Sequence, residues 1–485
     1  MTTAQIDASL ALVRALAATL GAQLIATHIS WVLLAPQLAY KIKQPVRLPF
    51  LDYASLEARR RCCEEEVRLN ARLAPSLYLG VSRITGDAEA PQIDGSGPVL
   101  EYAVRMRRFE AGALFSEQLA AGTLAPAQVD RLAALLAGFH QQAPAALAGS
   151  GFGTPQARRQ VALAALEGAA APATPVERAL LQEWIGQRST ALAPLWQARL
   201  AAGRVRECHG DLHLDNVVSL DGAVAAFDGI EFDPALRWID VLDDLAFAVM
   251  DFGARGRPDF GWRLLDGWLD ATGDHAGVPA LPFAAVYRAL VRAQVEQMRG
   301  PHRAAMARRY LAAALWWTTP RAPTLTITHG LPGSGKTFQS QRLLERSGAI
   351  RLRSDVERKR LFGLGMLTRS REHGLDLYTA PVTARTYRHL YATARDLLLA
   401  GWPVIVDAAF LRRGERDVAR ALAEELQVPF AILHCEAPPE VLQQRLLARR
   451  DDASEADSSV LARLAQAAEP LAPDELACVL RPDAA

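Results

Sequence analysis

The residues Gly330-Leu331-Pro332-Gly333-Ser334-Gly335-Lys336-Thr337 constrain this chain more than any other stretch. A β-branched run, Thr324-Leu325-Thr326-Ile327-Thr328, stands before them and reads as a buried strand. Phe338 to Arg346 follows, with apolar positions at Phe338, Leu343 and Leu344, and reads as a helix. Strand, glycine loop and helix in that order are the context in which backbone wraps around a phosphate. Gly330, Gly333 and Gly335, with Ser334 between them, let successive N–H groups curl inward, and the helix start adds the positive end of its dipole. Lys336 can reach the outer phosphates of ATP, and the Thr337 hydroxyl can ligate Mg²⁺. The predicted chemistry is phosphoryl transfer, and these residues say nothing about its acceptor.

With 485 residues, the chain is too long for one ordinary domain. Its 54 Lys and Arg residues balance 53 Asp and Glu, so it carries no global basic signal for nucleic acid and no acidic tail. Five scattered cysteines without a CxxC argue against a disulfide framework or a zinc site and fit a reducing cytoplasm. Asp7 and Arg14 interrupt the apolar N-terminus, which has no basic segment ahead of it, so no signal peptide is expected. No membrane span is expected either, because no run of about 20 uninterrupted apolar residues occurs.

In chain order, the pattern predicts a helix over 7–24 and a hairpin of strands over 29–34 and 38–43. A charged helix over 56–73 follows, then an exposed turn-rich loop over 84–97 and a strand over 99–109. Residues 116–200 read as helical with a break at 172–175. A strand over 224–227 closes on Asp228, and 236–250 and 262–317 read as helices. Pro320-Arg321-Ala322-Pro323 ends a helix just before the strand of the glycine loop. The domain boundary is therefore expected there, giving modules of residues 1–320 and 323–485.

His209-Gly210-Asp211, then Asn216, then Asp228 form a second constellation. Their order resembles the core of aminoglycoside and choline-type phosphotransferases, relatives of the protein kinases. The reaction needs a carboxylate to accept the proton of an acceptor hydroxyl, and Asp211 is the candidate. It also needs oxygen ligands for Mg²⁺, for which Asn216 and Asp228 are suited. The resemblance further implies that Lys41, with Lys43 as the alternative on the same strand face, touches the ATP phosphates and pairs with Glu66. Two departures stand out. No glycine-rich loop precedes Lys41, and the metal motif runs Phe227-Asp228-Gly229-Ile230-Glu231-Phe232-Asp233, so that Glu231 and Asp233 are either extra site residues or structural.

Past the glycine loop, Arg353-Ser354-Asp355-Val356-Glu357-Arg358 resembles small P-loop kinases such as polynucleotide 5′-kinase, chloramphenicol phosphotransferase and gluconate kinase. That resemblance implies that Asp355 activates an acceptor hydroxyl and Arg358 offsets charge on the transferring phosphate. The apolar run Trp402 to Val406 ends in Asp407, the form expected of an acidic residue that supports Mg²⁺. Arg445 and Arg449 lie on a helix over 442–450 and could close over the ATP phosphates. Tyr378, Thr386 and Tyr387 sit in the segment where these kinases hold their acceptor.

Together the two halves resemble bacterial proteins described as bifunctional aminoglycoside phosphotransferase/ATP-binding proteins. The expected fold is a multidomain α/β and α+β chain, with a bilobal protein-kinase-like domain followed by a doubly wound parallel-sheet P-loop kinase domain. The expected activity is transfer of the ATP γ-phosphate to hydroxyl groups of small-molecule acceptors. Two other readings stay open: a nucleotide-sensing regulatory ATPase, and a 5′-hydroxyl kinase of nucleic acid acting through Asp355 and Arg358. The near-neutral charge argues against extensive nucleic-acid backbone contact.

Overall fold

The structure is a computed structural model that describes residues 3–48, 51–448 and 453–480. Its contacts divide the chain into two compact units, one of Met1–Ala157 with Trp196–Ala248, the other of Arg158–Leu195 with Val249–Ala485.

The first unit is built on a six-stranded sheet in the order Gln23–Ala26, Ser30–Leu34, Leu38–Lys43, Val99–Arg107, Tyr78–Asp87 and Ala90–Ile93. Every neighbouring pair is antiparallel. The strand Leu38–Lys43 shows how its two faces divide. Tyr40 and Ile42 join Trp31, Leu33 and the helix residues Leu12, Val13 and Leu16 in one apolar cluster. Ala39 joins Cys63, Leu77, Val104 and Val218 in another. Side chains alternate along a strand, so Lys41 and Lys43 share the face of Ala39. The helix Leu56–Asn70 starts at Ser55, whose hydroxyl accepts the Ala58 N–H at 3.1 Å. It buries Arg59, Cys63, Glu66, Leu69 and Asn70, a single stripe at three- and four-residue spacing.

Three sequence expectations need correction in this unit, and the first is the helix over 7–24, which ends at Leu20 and is followed by the strand Gln23–Ala26. Residues 84–97 are not an exposed loop: Tyr78–Asp87 and Ala90–Ile93 pair as a hairpin, with Ile84 opposite Ile93. Exposed polar residues and Pro91 disguised an edge strand, the one place in a sheet where proline is tolerated. Nor does a helix run from 236: Trp238–Asp240 is a short strand paired with Val205–Glu207, and the helix Val241–Ala254 starts after it.

In the second unit a five-stranded, all-parallel sheet has the order Ile350–Arg353, Val404–Asp407, Leu325–His329, Phe430–His434 and Val479–Leu480. The strands Leu325–His329 and Val404–Asp407 are buried along their whole length, as a sheet covered on both faces requires. The helices Pro258–Thr272, Leu281–Met298 and Ala304–Thr318, which precede the Pro320–Pro323 segment, belong to this unit as well. Trp262, Trp316, Trp317 and Trp402 surround the Arg321 guanidinium, which lies 4.3 to 5.1 Å from the ring centres. Burial there pulls the Arg321 pKa down to about 10. Among the described residues no helix is long and apolar enough to cross a membrane.

Candidate active sites

In the first unit, Lys41 and Lys43 meet Glu66, which sits on the buried stripe of the helix Leu56–Asn70. Lys41 Nζ donates to Glu66 Oε1 at 3.0 Å and to Asp228 Oδ1. Lys43 Nζ donates to the other Glu66 oxygen and to Glu231 Oε1, which also takes the Tyr53 hydroxyl. Burial opposes the charge on both lysines. The facing carboxylates outweigh it, Asp228 and Glu66 for Lys41 and Glu231 and Glu66 for Lys43, and hold both well above the ordinary lysine value. Helix phase selects Glu66 over its neighbours: the exposed Glu64 pairs with Arg60 at 2.7 Å, and the half-buried Glu65 with Arg68 at 2.7 Å and Arg237 at 2.8 Å.

Asp228 stands just past the strand Ala223–Ala226 with φ 62°, a left-handed conformation that aspartate tolerates better than most residues other than glycine. Its N–H donates to the Tyr78 hydroxyl at 3.1 Å, and the Gly229 N–H donates to Asn70 Oδ1 at 2.7 Å. Burial works against ionisation of Asp228, but Lys41 and then Lys43 hold its pKa below the usual carboxylate value. These two hydrogen bonds hold the Asp228 turn on both sides.

Asp211 lies on a loop fixed from beneath. Asp244 accepts the N–H groups of His209 and Gly210 at 3.0 and 2.8 Å, and its Oδ2 lies 3.1 Å from His140 Nε2. Burial raises the Asp244 pKa, but the two histidines and these donors bring it to about 2, so it stays ionised. His209 Nδ1 accepts the Asp211 N–H at 3.2 Å, which leaves Nε2 to donate to the Phe227 carbonyl at 2.9 Å. His209 thus ties the Asp211 loop to the residue before Asp228. Asn216 Nδ2 donates to the Asp211 carbonyl at 2.9 Å and to its carboxylate at 3.2 Å.

Lys41, Glu66 and Asp228 therefore form one cluster, and Asp211 with Asn216 another, joined through His209. The sequence reading missed Tyr53, Tyr78 and Asp244, all distant in the chain from the motifs they serve. It left Lys43 and Glu231 undecided. The two-residue step from Lys41 was the available signal for Lys43, and both prove to be buried partners. Asp233 is structural: its carboxylate caps a short helix by accepting the Ala235 N–H at 2.8 Å.

In the second unit the glycine loop joins the strand Leu325–His329 to the helix Lys336–Ser347. Gly330 has φ +147°, and a Cβ there would lie 2.2 Å from the Cys435 carbonyl and 2.7 Å from Ser334 Oγ. Gly330→Ala is therefore expected to weaken ATP binding at this loop roughly tenfold or more, since such strain costs about 1–3 kcal/mol. Titration with ATP checks it. Lys336 Nζ donates to the Gly330 and Leu331 carbonyls, both at 2.9 Å, and Arg445 Nη1 donates to the Gly333 carbonyl at 3.0 Å.

A cavity of about 1010 Å³ opens over this loop. Gly333, Gly335, Lys336, Thr337, Asp355, Arg358, Asp407 and Arg445 all line it, which is most of the set read from the sequence for this half. Asp407 ends its strand with Oδ2 3.2 Å from Ser340 Oγ and Oδ1 3.4 Å from Thr328 Oγ1. Arg358 Nη1 donates to Asp355 Oδ1 at 2.7 Å, and its guanidinium lies 4.9 Å from the centre of the Tyr378 ring. Burial raises the Asp355 pKa, but Arg358, a Ser454 hydrogen bond, Arg353 and Lys336 bring it below the ordinary value. Tyr378 and Tyr387 also line the cavity. Thr386 does not: it is fully buried and bonds the Val382 carbonyl of its own helix at 2.8 Å. Arg449 lies outside the described residues.

His329, the last residue before Gly330, faces His434 across paired strands, with Nδ1 to Nδ1 at 2.7 Å. Burial, then the neighbouring His434 and Arg416, lower the His329 pKa from the ordinary 6.5 to about 4. Between those values the folded protein binds fewer protons than the unfolded chain, so stability falls as pH drops from 6.5 toward 4. Thermal melts across that window are expected to show this loss, and His329→Gln to reduce its slope.

The model of the phosphotransferase enzyme family matches residues 54–284, and that of an AAA domain matches residues 325–471. An uncharacterized protein of Mycobacterium tuberculosis (strain ATCC 25618 / H37Rv) is 32% identical over 454 residues, covering 90% of this chain and 88% of that one. Among solved structures, a choline kinase from Cryptosporidium parvum Iowa II is similar over 61% of this chain and 88% of its own, at 11% identity and a TM-score of 0.39. A gluconokinase from Sinorhizobium meliloti 1021 is similar over 33% of this chain and 82% of its own, at 20% identity and a TM-score of 0.26.

A protein-kinase-like phosphotransferase segment followed by a P-loop kinase-like segment defines the class: an ATP-dependent phosphotransferase. The chain belongs to the family of the mycobacterial protein, with which it aligns over nearly its whole length.

Proposed function

We propose that the chain carries two separate ATP·Mg²⁺ sites, one in residues 1–320 and one in residues 323–485. Each passes the γ-phosphate to an alcohol group of a small molecule. The family matches fall on either side of Pro320–Pro323, which supports these module bounds. The reading is carried by one observation: Asp355, held ionised, lines the same cavity as Lys336 and Thr337. A chain that only sensed nucleotide would need no such carboxylate beside its phosphate loop.

The residues suit the cofactor. Ser334 Oγ is buried with no hydrogen-bond partner among the described residues, a group that a phosphate oxygen satisfies. Asn216 and Asp228 in the first module, and Thr337 and Asp407 in the second, offer the hard oxygen ligands that Mg²⁺ takes. Bound there, Mg²⁺ neutralises charge on the transferring phosphates. The chain's own groups do the rest. Lys41, set by Glu66, and Lys336, with Gly330, Gly333, Ser334 and Gly335, hold the phosphates. Asp211 and Asp355 take the proton from the acceptor hydroxyl. Arg358 offsets developing charge, and Arg445 with Arg449 covers the phosphates. Five cysteines without a disulfide fit the cytoplasm we assign to it.

The test is a transfer screen with γ-labelled ATP against metabolite extract, aminoglycosides and 5′-hydroxyl oligonucleotides. It is run on the wild type and on Asp211→Ala and Asp355→Ala. Labelled small-molecule products that vanish with one or the other substitution support the reading. Label transferred only to oligonucleotides, or to nothing but water, overturns it.

A further inference from the structure

The helix Pro258–Thr272 lies inside the segment matched by the phosphotransferase family, yet it packs in the same compact unit as the glycine loop. Asp266 on that helix grips Arg351 of the strand Ile350–Arg353. Arg351 Nη2 donates to Asp266 Oδ2 at 2.6 Å and Nε to Oδ1 at 3.2 Å, a two-pronged pair. The opposite side of the same guanidinium reaches the phosphate-loop helix. Nη1 donates to the Thr337 carbonyl at 3.0 Å and to Ser340 Oγ at 3.1 Å, and Nη2 to Gln341 Oε1 at 2.6 Å. Ser340 Oγ in turn stands against the Asp407 carboxylate. Asp266, Arg351, Ser340 and Asp407 are all buried. A parallel rung lies one turn on, where Arg353 donates to Asp270 Oδ2 at 2.9 Å. Arg353 stands two residues before Asp355.

We propose that Asp266 is a positioning residue for the P-loop site: through Arg351 it fixes Thr337 and Asp407, the two residues assigned to Mg²⁺. The proposal rests on the reading of this loop as a nucleotide site. The physical reason is satisfaction. A buried guanidinium presents its donors in one plane, and here the carboxylate holds one edge while the loop helix takes the other. With the carboxylate removed, the cation is left buried without its counter-charge and must turn toward other acceptors. Thr337 O and Ser340 Oγ are the groups that turn would disturb. The helix of one family segment thereby positions residues that would hold the metal in the other.

The test uses the full chain carrying Lys41→Ala, so that only the P-loop site reports. ATP binding is measured by calorimetry with Mg²⁺ and with chelator, for this background and with Asp266→Asn, Arg351→Lys or Lys336→Ala added. Asp266→Asn and Arg351→Lys are expected to lose roughly 3- to 30-fold of the Mg²⁺-dependent tightening, the range of coupling through a packed network. Binding in chelator is expected to stay unchanged. Arg351→Lys keeps the buried charge and carries the test if Asp266→Asn does not fold. Wild-type Mg²⁺ dependence in the folded variants overturns the proposal. So does an equal loss with and without Mg²⁺, which marks a structural role alone. Lys336→Ala separates the two readings: if it too leaves binding intact, the P-loop assignment itself has failed.

Discussion

Asp211→Ala is expected to lower phosphoryl transfer by the first module about 10²- to 10⁴-fold, the usual contribution of a positioned general base. ATP affinity at that module is expected to stay near the wild-type value. The separation follows from how the loop is built. Its shape depends on backbone N–H groups held by Asp244 and on the His209 ring, none of which uses the Asp211 carboxylate. That carboxylate touches Asn216 Nδ2 at 3.2 Å and His213 Nε2 at 3.3 Å. Initial rates with the acceptor found by the screen, set beside ATP titration of the same protein, check both halves. A loss confined to ATP affinity would place Asp211 among the binding groups and not at the transferred proton.

The largest stability effect is expected at Glu66. It is fully buried and is the counter-charge shared by Lys41 and Lys43, of which Lys43 is itself fully buried. Glu66→Ala removes the carboxylate that bridges the two lysines, leaving Lys41 with Asp228 and Lys43 with Glu231 around an emptied buried site, and breaking such a buried ionic network costs about 3–5 kcal/mol. The urea midpoint of the first unit should fall sharply. Glu64→Ala, on the outer face of the same helix, should leave it almost unmoved. Adding Lys43→Met to Glu66→Ala should deepen the loss, since Glu231 is then a buried carboxylate without its facing lysine. Near-equal midpoints for Glu66→Ala and Glu64→Ala would mean that the network is not the support it is taken to be.

Where the physics is local, the sequence was a good guide. The glycine loop could be read because spacing, flanking strand and helix start lie within fourteen residues of one another. Lys41 and Lys43 could be placed on one face because alternation along a strand is strict. Glu66 could have been separated from Glu64 and Glu65 by helix phase alone, since Arg59, Cys63, Glu66 and Asn70 step along one stripe. The misread hairpin at 84–97 failed for a physical reason: an edge strand with a solvated face and a proline looks like a loop. The partners that set the sites leave no local trace. Asp244 lies 35 residues from the N–H of His209, Asp266 lies 85 from Arg351, and His434 lies 105 from His329. Such pairs exist only because the fold brings their elements together.

On the function proposed above, this chain holds two nucleotide sites of different architecture. Calorimetric titration of the full chain with ATP in the presence of Mg²⁺ tests it most directly through stoichiometry. Two ATP are expected per wild-type chain, one after Lys41→Ala, one after Lys336→Ala, and none after both. A single ATP per wild-type chain, or loss of both sites to either single substitution, would contradict it.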